Sequence, residues 1–139
     1  MDAAAIVLAG GRSLRMGTSK AALEWHGSTL LRRVVGIVSR AVDGPVLVVS
    51  AAGQPLPELG PDVRVLEDPR QGLGPLQGLA VGLAAAADIA PVAFVCSTDL
   101  PFLHVAFVRH VLRAFDDGVD VVLPHVRGFR QPLAAGYRT

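Results

Sequence analysis

The chain has 139 residues, 51% of them hydrophobic and 18% charged, a composition that builds one core-rich domain and excludes a disordered segment. Its formal net charge of +1 provides no global field for nucleic acid, so any anion binding has to be local. The lone cysteine, Cys96, excludes an internal disulfide framework and suits a reducing cytoplasm.

The amino terminus, Met1-Asp-Ala-Ala-Ala-Ile, lacks the positive region and long apolar core of a secretion signal, so the expected location is the cytoplasm. Residues 3–9 are a continuous apolar run, the pattern of a strand covered on both faces. Residues 10–20 form a loop in which Gly10 and Gly11 precede three cations, Arg12, Arg15 and Lys20. Glu24-Trp-His-Gly27 reads as a turn, with Trp25 covering the core and His26 on the surface. From 29 to 42 apolar residues recur at helical spacing, with Arg32, Arg33 and Arg40 between them.

Residues 45–50 predict a second strand and 63–66 a third, joined by a surface loop over 53–62 that holds three prolines and two glycines. A second glycine-bearing loop spans 67–74. Pro75 suits the first turn of a helix running to about Ala87. The strand 92–97 follows, and Pro101 opens another helix to about Asp116. Residues 119–124 predict a fifth strand, and Val126-Arg-Gly-Phe-Arg-Gln131 a hairpin turn into a last strand over 132–137. The longest apolar stretch, 79–95, is broken by Gly82, Asp88 and Pro91, too short and interrupted for the ~20 apolar residues of a membrane span.

Strands alternating with helices define the α/β class: βαβ units, a mostly parallel sheet and helices on both faces. Ligands of such sheets bind at the carboxyl ends of the strands. The residues capable of chemistry follow predicted strands: Gly10 to Lys20 after the first, Glu67, Asp68 and Gly72 to Gly78 after the third, Cys96 to Phe102 after the fourth.

Glycines without a Cβ let backbone N–H groups approach a ligand, and Arg and Lys supply charge and donors to an anion. A strand, a glycine loop and fixed cations therefore predict a nucleotide-phosphate site. A Walker A loop requires Gly-Lys-Ser/Thr, whereas Gly17 is followed by Thr18, Ser19 and then Lys20. Gly10, Gly11 and Gly17 also miss the Gly-x-Gly-x-x-Gly spacing of a dinucleotide fold. Asp99, just past an apolar strand, has two readings: a helix cap, or a ligand for a hard cation such as Mg²⁺ beside phosphates. The phosphate loop favours the metal.

Leu8-Ala-Gly-Gly-x-Ser-x-Arg-Met-Gly-x-x-Lys20 resembles the nucleotidyltransferase signature of the molybdenum cofactor guanylyltransferase family, the MobA-like NTP transferases. Gly74-Pro-Leu-Gln-Gly78, Glu67-Asp68 and Asp99-Leu-Pro-Phe102 are similar to further segments of that family. The resemblance implies a three-layer αβα, Rossmann-like sheet of the nucleotide-diphospho-sugar transferase (GT-A-like) type. It implies nucleotide contacts at Leu8, Ala9, Gly10, Gly11, Arg12, Lys20, Ser50, Asp68, Gly74, Pro75, Leu76, Gly78 and Asp99, with Mg²⁺ at Asp99. Arg15, Lys20 and Asp99 are the expected catalytic residues, acting through charge and position. The acceptor's phosphate would attack the α-phosphorus of GTP and release pyrophosphate.

Relatives that transfer CMP carry Leu-Ala-Ala-Gly, so Gly10 leaves room for a larger base and favours guanine. His125, Arg127, Arg130 and Gln131 form a basic patch, read either as a solvated turn or as the seat of an anionic, molybdopterin-type acceptor. His104 and His110 are six apart and share no metal-binding helix face; Cys96 and Ser13 lack the partners of a nucleophile. The partners implied are GTP and the phosphorylated acceptor, without nucleic acid or membrane. A monomer and a transient contact with molybdenum cofactor proteins are left open.

Three alternatives stand beside this reading: a cytidylyltransferase, a transferase for another small phosphorylated acceptor, and a nucleotide-binding domain that transfers nothing. By the resemblance, members run on past this point to an Asn/Asp-x-Asp/Asn-Thr-Pro segment. A single domain over 1–139 without that portion is expected, as a fragment or a shortened relative.

Overall fold

The computed structural model describes residues 2–9, 20–68, 75–100 and 102–139, with residues 20–28 and Pro75 described at the backbone alone. Four parallel strands form the middle of the molecule: β1 (Ala3–Leu8), β2 (Val46–Ala51), β3 (Val63–Asp68) and β4 (Val92–Ser97). Helix α1 (Lys20–Ala41) joins β1 to β2, α2 (Pro75–Ala86) joins β3 to β4, and α3 (Val105–Arg113) follows β4. A two-residue strand β5 (Val121–Val122) leads into a separate hairpin of β6 (His125–Val126) and β7 (Phe129–Arg130). The last strand, β8 (Ala134–Arg138), inserts antiparallel between β4 and β5, giving the order β3-β2-β1-β4-β8-β5.

Period-2 alternation sorts the core into two layers. Ala5, Val7, Val46, Val48, Phe94 and Cys96 face Leu31, Val34 and Val38 of α1 and Val108 and Val111 of α3. Ala4, Ile6, Leu47, Val49, Ala93 and Val95 face α2. With both faces covered, β1 is apolar at every position, and β2 and β4 are apolar except for Ser50 and Ser97 near their carboxyl ends, unlike a strand with one wet face. The result is the expected three-layer αβα sandwich with a mostly parallel sheet. Among the described residues no helix is long and apolar enough to cross a membrane.

Several boundaries differ from those the sequence suggests. Helix α1 begins at Lys20 rather than at residue 29, so Glu24 to Gly27 lie within a helix and His26 is not in a turn. Lys-Ala-Ala-Leu-Glu-Trp are good helix formers on balance, and Gly27 costs only about 1 kcal/mol against Ala. Helix α3 begins at Val105, not Pro101, because His104 caps it: the imidazole Nδ1 accepts from the Phe107 N–H at 3.3 Å. It ends at Arg113 rather than near Asp116. Strand β3 runs on to Asp68, which places Glu67 and Asp68 in the sheet rather than in a loop. The expected strand 119–124 shrinks to Val121–Val122, which among the described residues pairs with β8 alone. The predicted hairpin is present, turning through Arg127 (φ 53°) and Gly128 (φ 83°).

Candidate active site

Because β1 to β4 are parallel, their carboxyl ends share one edge of the sheet, and that edge collects the candidate residues. Leu8 and Ala9 end β1, Ser50 and Ala51 end β2, Asp68 ends β3, and Ser97 is followed by Thr98 and Asp99. Helix α2 lies close over this edge at its first turns: a Cβ on Gly78 would stand 3.5 Å from Leu8 Cδ2 and 3.8 Å from Val49 Cγ1. Leu76, two residues earlier, is exposed. Lys20 opens α1, so its backbone sits at a helix amino end, where N–H groups and the helix dipole favour anions. Gly10, Gly11, Arg12, Arg15 and Gly74 lie outside the described residues, as do the side chains of Lys20 and Pro75.

Asp99 is exposed between better-buried neighbours. Leu100 and Leu103 anchor the segment in the core at 9% and 2% exposure. The Leu103 N–H donates to the Leu100 carbonyl at 3.2 Å, and Arg33 Nη2 reaches the Leu103 carbonyl at 3.4 Å. Since His104 caps α3, Asp99 is not that helix's cap, and one of its two sequence readings falls away. Ser50 arrives at the expected strand end but is buried at 2% exposure, within the sheet layer rather than on its open rim. Asp68 is partly buried and stands in register with Ala51. Among the described residues no three His, Cys, Asp or Glu side chains stand close enough to hold a metal by themselves.

The basic hairpin projects from the same edge. The Ser97 N–H donates to the Leu133 carbonyl at 3.0 Å, so residues just before β8 lie beside the end of β4. His125 and Arg130 are cross-strand partners, and the Gln131 N–H closes the hairpin base on the Pro124 carbonyl at 3.0 Å. His125, Arg127 and Arg130 are exposed and Gln131 half-buried, all on or beside this one hairpin. Cys96 does not contribute a nucleophile: it is fully buried, and burial pushes its thiol up, holding it protonated.

Gln54 is the residue that the strand-end pattern overlooks. It lies beyond β2 in the proline-rich loop, yet its side chain returns to the sheet edge and bonds both Ala51 and Ala9. A cavity of about 530 Å³ lies at the opposite edge, lined by Ala3, Asp43, Val92 and three arginines. Two of those arginines are committed to α1: Arg109 Nη2 donates to the Arg40 carbonyl, and Arg40 Nε to that of Gly36, each at 3.0 Å. The cavity is therefore a helix-end contact rather than the position that a parallel sheet offers a ligand.

A family model for the MobA-like NTP transferase domain matches residues 5–139. The chain belongs to the MobA-like NTP transferase family. Within that family it is 46% identical over 140 aligned positions, 98% of this chain and 68% of the relative, to a Mycobacterium ulcerans (strain Agy99) protein named "Probable molybdenum cofactor guanylyltransferase". Among solved structures it is similar to an Aquifex aeolicus VF5 protein, with TM-score 0.77 and 27% identity over 97% of this chain and 69% of the other. The fold alone is shared with molybdopterin-guanine dinucleotide biosynthesis protein A from Archaeoglobus fulgidus, at TM-score 0.67 and 21% identity over 97% of this chain and 67% of the other. As a member of the MobA-like family the chain is a nucleotidyltransferase.

Proposed function

We propose that this MobA-like transferase moves the GMP unit of GTP onto the phosphate of a molybdopterin-type acceptor. An acceptor phosphate oxygen attacks the α-phosphorus; the bond from the α-phosphorus to the bridging oxygen breaks, and pyrophosphate leaves with that electron pair. The supporting observation is the convergence of β1's end, α2's first turns and Asp99 on one sheet edge, in a chain 46% identical to named guanylyltransferases.

The residues divide the work by position. Leu8, Ala9, Gly10 and Gly11 receive the nucleotide, with Gly10 leaving room for guanine; Ser50 and Asp68 lie on the base and ribose side. The 74–78 segment, including Pro75, Leu76 and Gly78, closes over the nucleotide from α2. Arg12, Arg15 and Lys20 hold the charge that builds on the leaving pyrophosphate. Asp99, an exposed carboxylate beside the expected phosphates, fits Mg²⁺, which prefers one or two carboxylates and takes its other ligands from water and substrate oxygens. Bound there, the ion would neutralise phosphate charge. His125, Arg127, Arg130 and Gln131 form a positive seat for the acceptor's phosphate at the same edge.

Removing one such charge or donor typically costs on the order of 10²–10³ in rate. Lys20→Ala and Asp99→Ala should each lose that much in Mg²⁺-dependent pyrophosphate release from GTP, while circular dichroism stays native. Near-normal turnover in either variant refutes its assignment. In a thermal-shift series with GTP, CTP and ATP, each with and without Mg²⁺, stabilisation by GTP with Mg²⁺ alone is expected.

A further inference from the structure

The ladder between β1 and β2 has an irregularity at the carboxyl edge. In a parallel pair, each residue on one strand bonds the two residues flanking its partner on the other. Leu8 is in register with Val49, so Ala9 falls opposite Ser50. Its two ladder bonds should run from the Ala9 N–H to Val49 and from the Ala51 N–H to the Ala9 carbonyl. The first is present at 2.8 Å.

The second is replaced. The Ala51 N–H donates to Gln54 Oε1 at 2.9 Å, and Gln54 Nε2 donates to the Ala9 carbonyl at 3.0 Å. A carboxamide carries one acceptor oxygen and two N–H donors, the same groups as a peptide unit. It therefore satisfies both strands while holding them one amide apart. The chain returns Gln54 to this place by a turn in which the Gln54 N–H donates to the Ala51 carbonyl at 3.1 Å. Gly53 takes φ 74° in that turn, a conformation that suits glycine.

We infer that Gln54 is a positioning residue for the bound nucleotide: its carboxamide wedges β1 from β2 at the carboxyl edge and fixes the peptide from which the glycine loop departs. The Ala9 carbonyl belongs to the planar peptide unit joining β1 to that loop. Holding it fixes the last described peptide group of β1, on the carboxyl edge where an α/β sheet binds its ligands. Gln54 acts through Ala9. The inference rests on the nucleotide-transfer reading of this edge.

The test is equilibrium binding of GTP with Mg²⁺ to the wild-type chain, Gln54→Leu and Gln54→Glu at pH 8 and pH 5, each variant compared with wild type at the same pH. At pH 8 the leucine has neither group, and the ionised glutamate sets an acceptor against the Ala9 carbonyl. Loss of one or two hydrogen bonds at the nucleotide's support should weaken binding about tenfold or more in both. At pH 5 a glutamate facing that carbonyl takes up a proton and regains one donor and one acceptor. Gln54→Glu should then recover most of the lost affinity, and Gln54→Leu none. A general loss of stability would produce no such selective recovery; should Gln54→Leu fail to fold, the glutamate's recovery decides alone. Wild-type affinity in both variants at both pH values overturns the positioning role and leaves the transferase reading intact. A wild-type chain without affinity for GTP overturns the transferase reading and, with it, this role for Gln54.

Discussion

Two glycines in helix interiors should respond differently to the same substitution. In an open helical position, replacing Gly by Ala stabilises by about 1 kcal/mol, through helix propensity and a less flexible unfolded chain. Gly36 in α1 meets that condition: a Cβ there would have nothing within 4 Å. Gly82 in α2 does not, because its Cβ would stand 2.6 Å from Ile6 Cγ2, 3.2 Å from Ile6 Cδ1 and 3.4 Å from Val49 Cγ2. Ile6 and Val49 are buried at 0% and 2% exposure, so neither can swing into solvent. Ordinary carbon contacts lie near ~3.5–4.0 Å, so α2 has to lift by roughly 1 Å or β1 has to repack, at about 1–3 kcal/mol.

The propensity gain is common to both sites, so the difference between Gly82→Ala and Gly36→Ala isolates this packing cost. Urea unfolding should show Gly36→Ala about 1 kcal/mol more stable than wild type and Gly82→Ala about 1–3 kcal/mol less stable than Gly36→Ala, with unchanged m-values. Lifting α2 also moves Gly78 away from Leu8, so Gly82→Ala should weaken GTP binding while Gly36→Ala leaves it unchanged. Equal stabilisation by both substitutions would refute the close approach of α2 to β1, and with it the placement of Gly78 over the edge.

Two further outcomes test the core and its acid sensitivity. Cys96 is the one cysteine of the chain and fully buried; with native stability of ~5 kcal/mol or more, a thiol reagent should label it about a thousandfold or more slowly in buffer than in urea, and prompt stoichiometric labelling would remove β4 from the core. Asp43 accepts the Ala3 N–H at 3.0 Å, and this bond above all holds its carboxyl below the usual value. A lowered folded value means stabilisation complete above the ordinary carboxylate range and lost as pH falls through it. The stability gap between wild type and Asp43→Ala should therefore narrow from pH 7 to pH 3; a gap that widens on acidification would contradict the bond.

The sheet was legible wherever both of its faces are covered. β1 reads as an unbroken apolar run, and β2 and β4 as apolar runs up to Ser50 and Ser97, because α2 lies on one side of them and α1 with α3 on the other. Legibility fails at the margins for separate reasons. The first turns of α1 carry no apolar period, so propensity alone marks them and the pattern suggests a later start. Pro101 advertises a helix beginning, but the side chain that satisfies a free N–H of α3 is His104. Among the described residues β5 pairs with β8 alone, at the end of the strand order, a fact of sheet order that no local window contains.

What the strand-end rule foretold is placement: Leu8, Ala9, Asp68, Asp99 and the hairpin residues do lie along one edge of the sheet. Gln54 escaped it because its role depends on the pairing of β1 with β2, residues about forty positions apart in the chain, and on an amide standing where a peptide bond would otherwise close the ladder. Asp99 shows the opposite case, in which structure narrows what sequence left open. An acidic residue ahead of a helix needs no ligand to explain it as long as it can cap that helix. With the cap taken by His104 and the neighbouring Leu100 and Leu103 turned into the core, the carboxylate has no such duty. What remains at that position is an exposed carboxylate at the carboxyl edge of the sheet, the residue type that the proposed Mg²⁺ site needs.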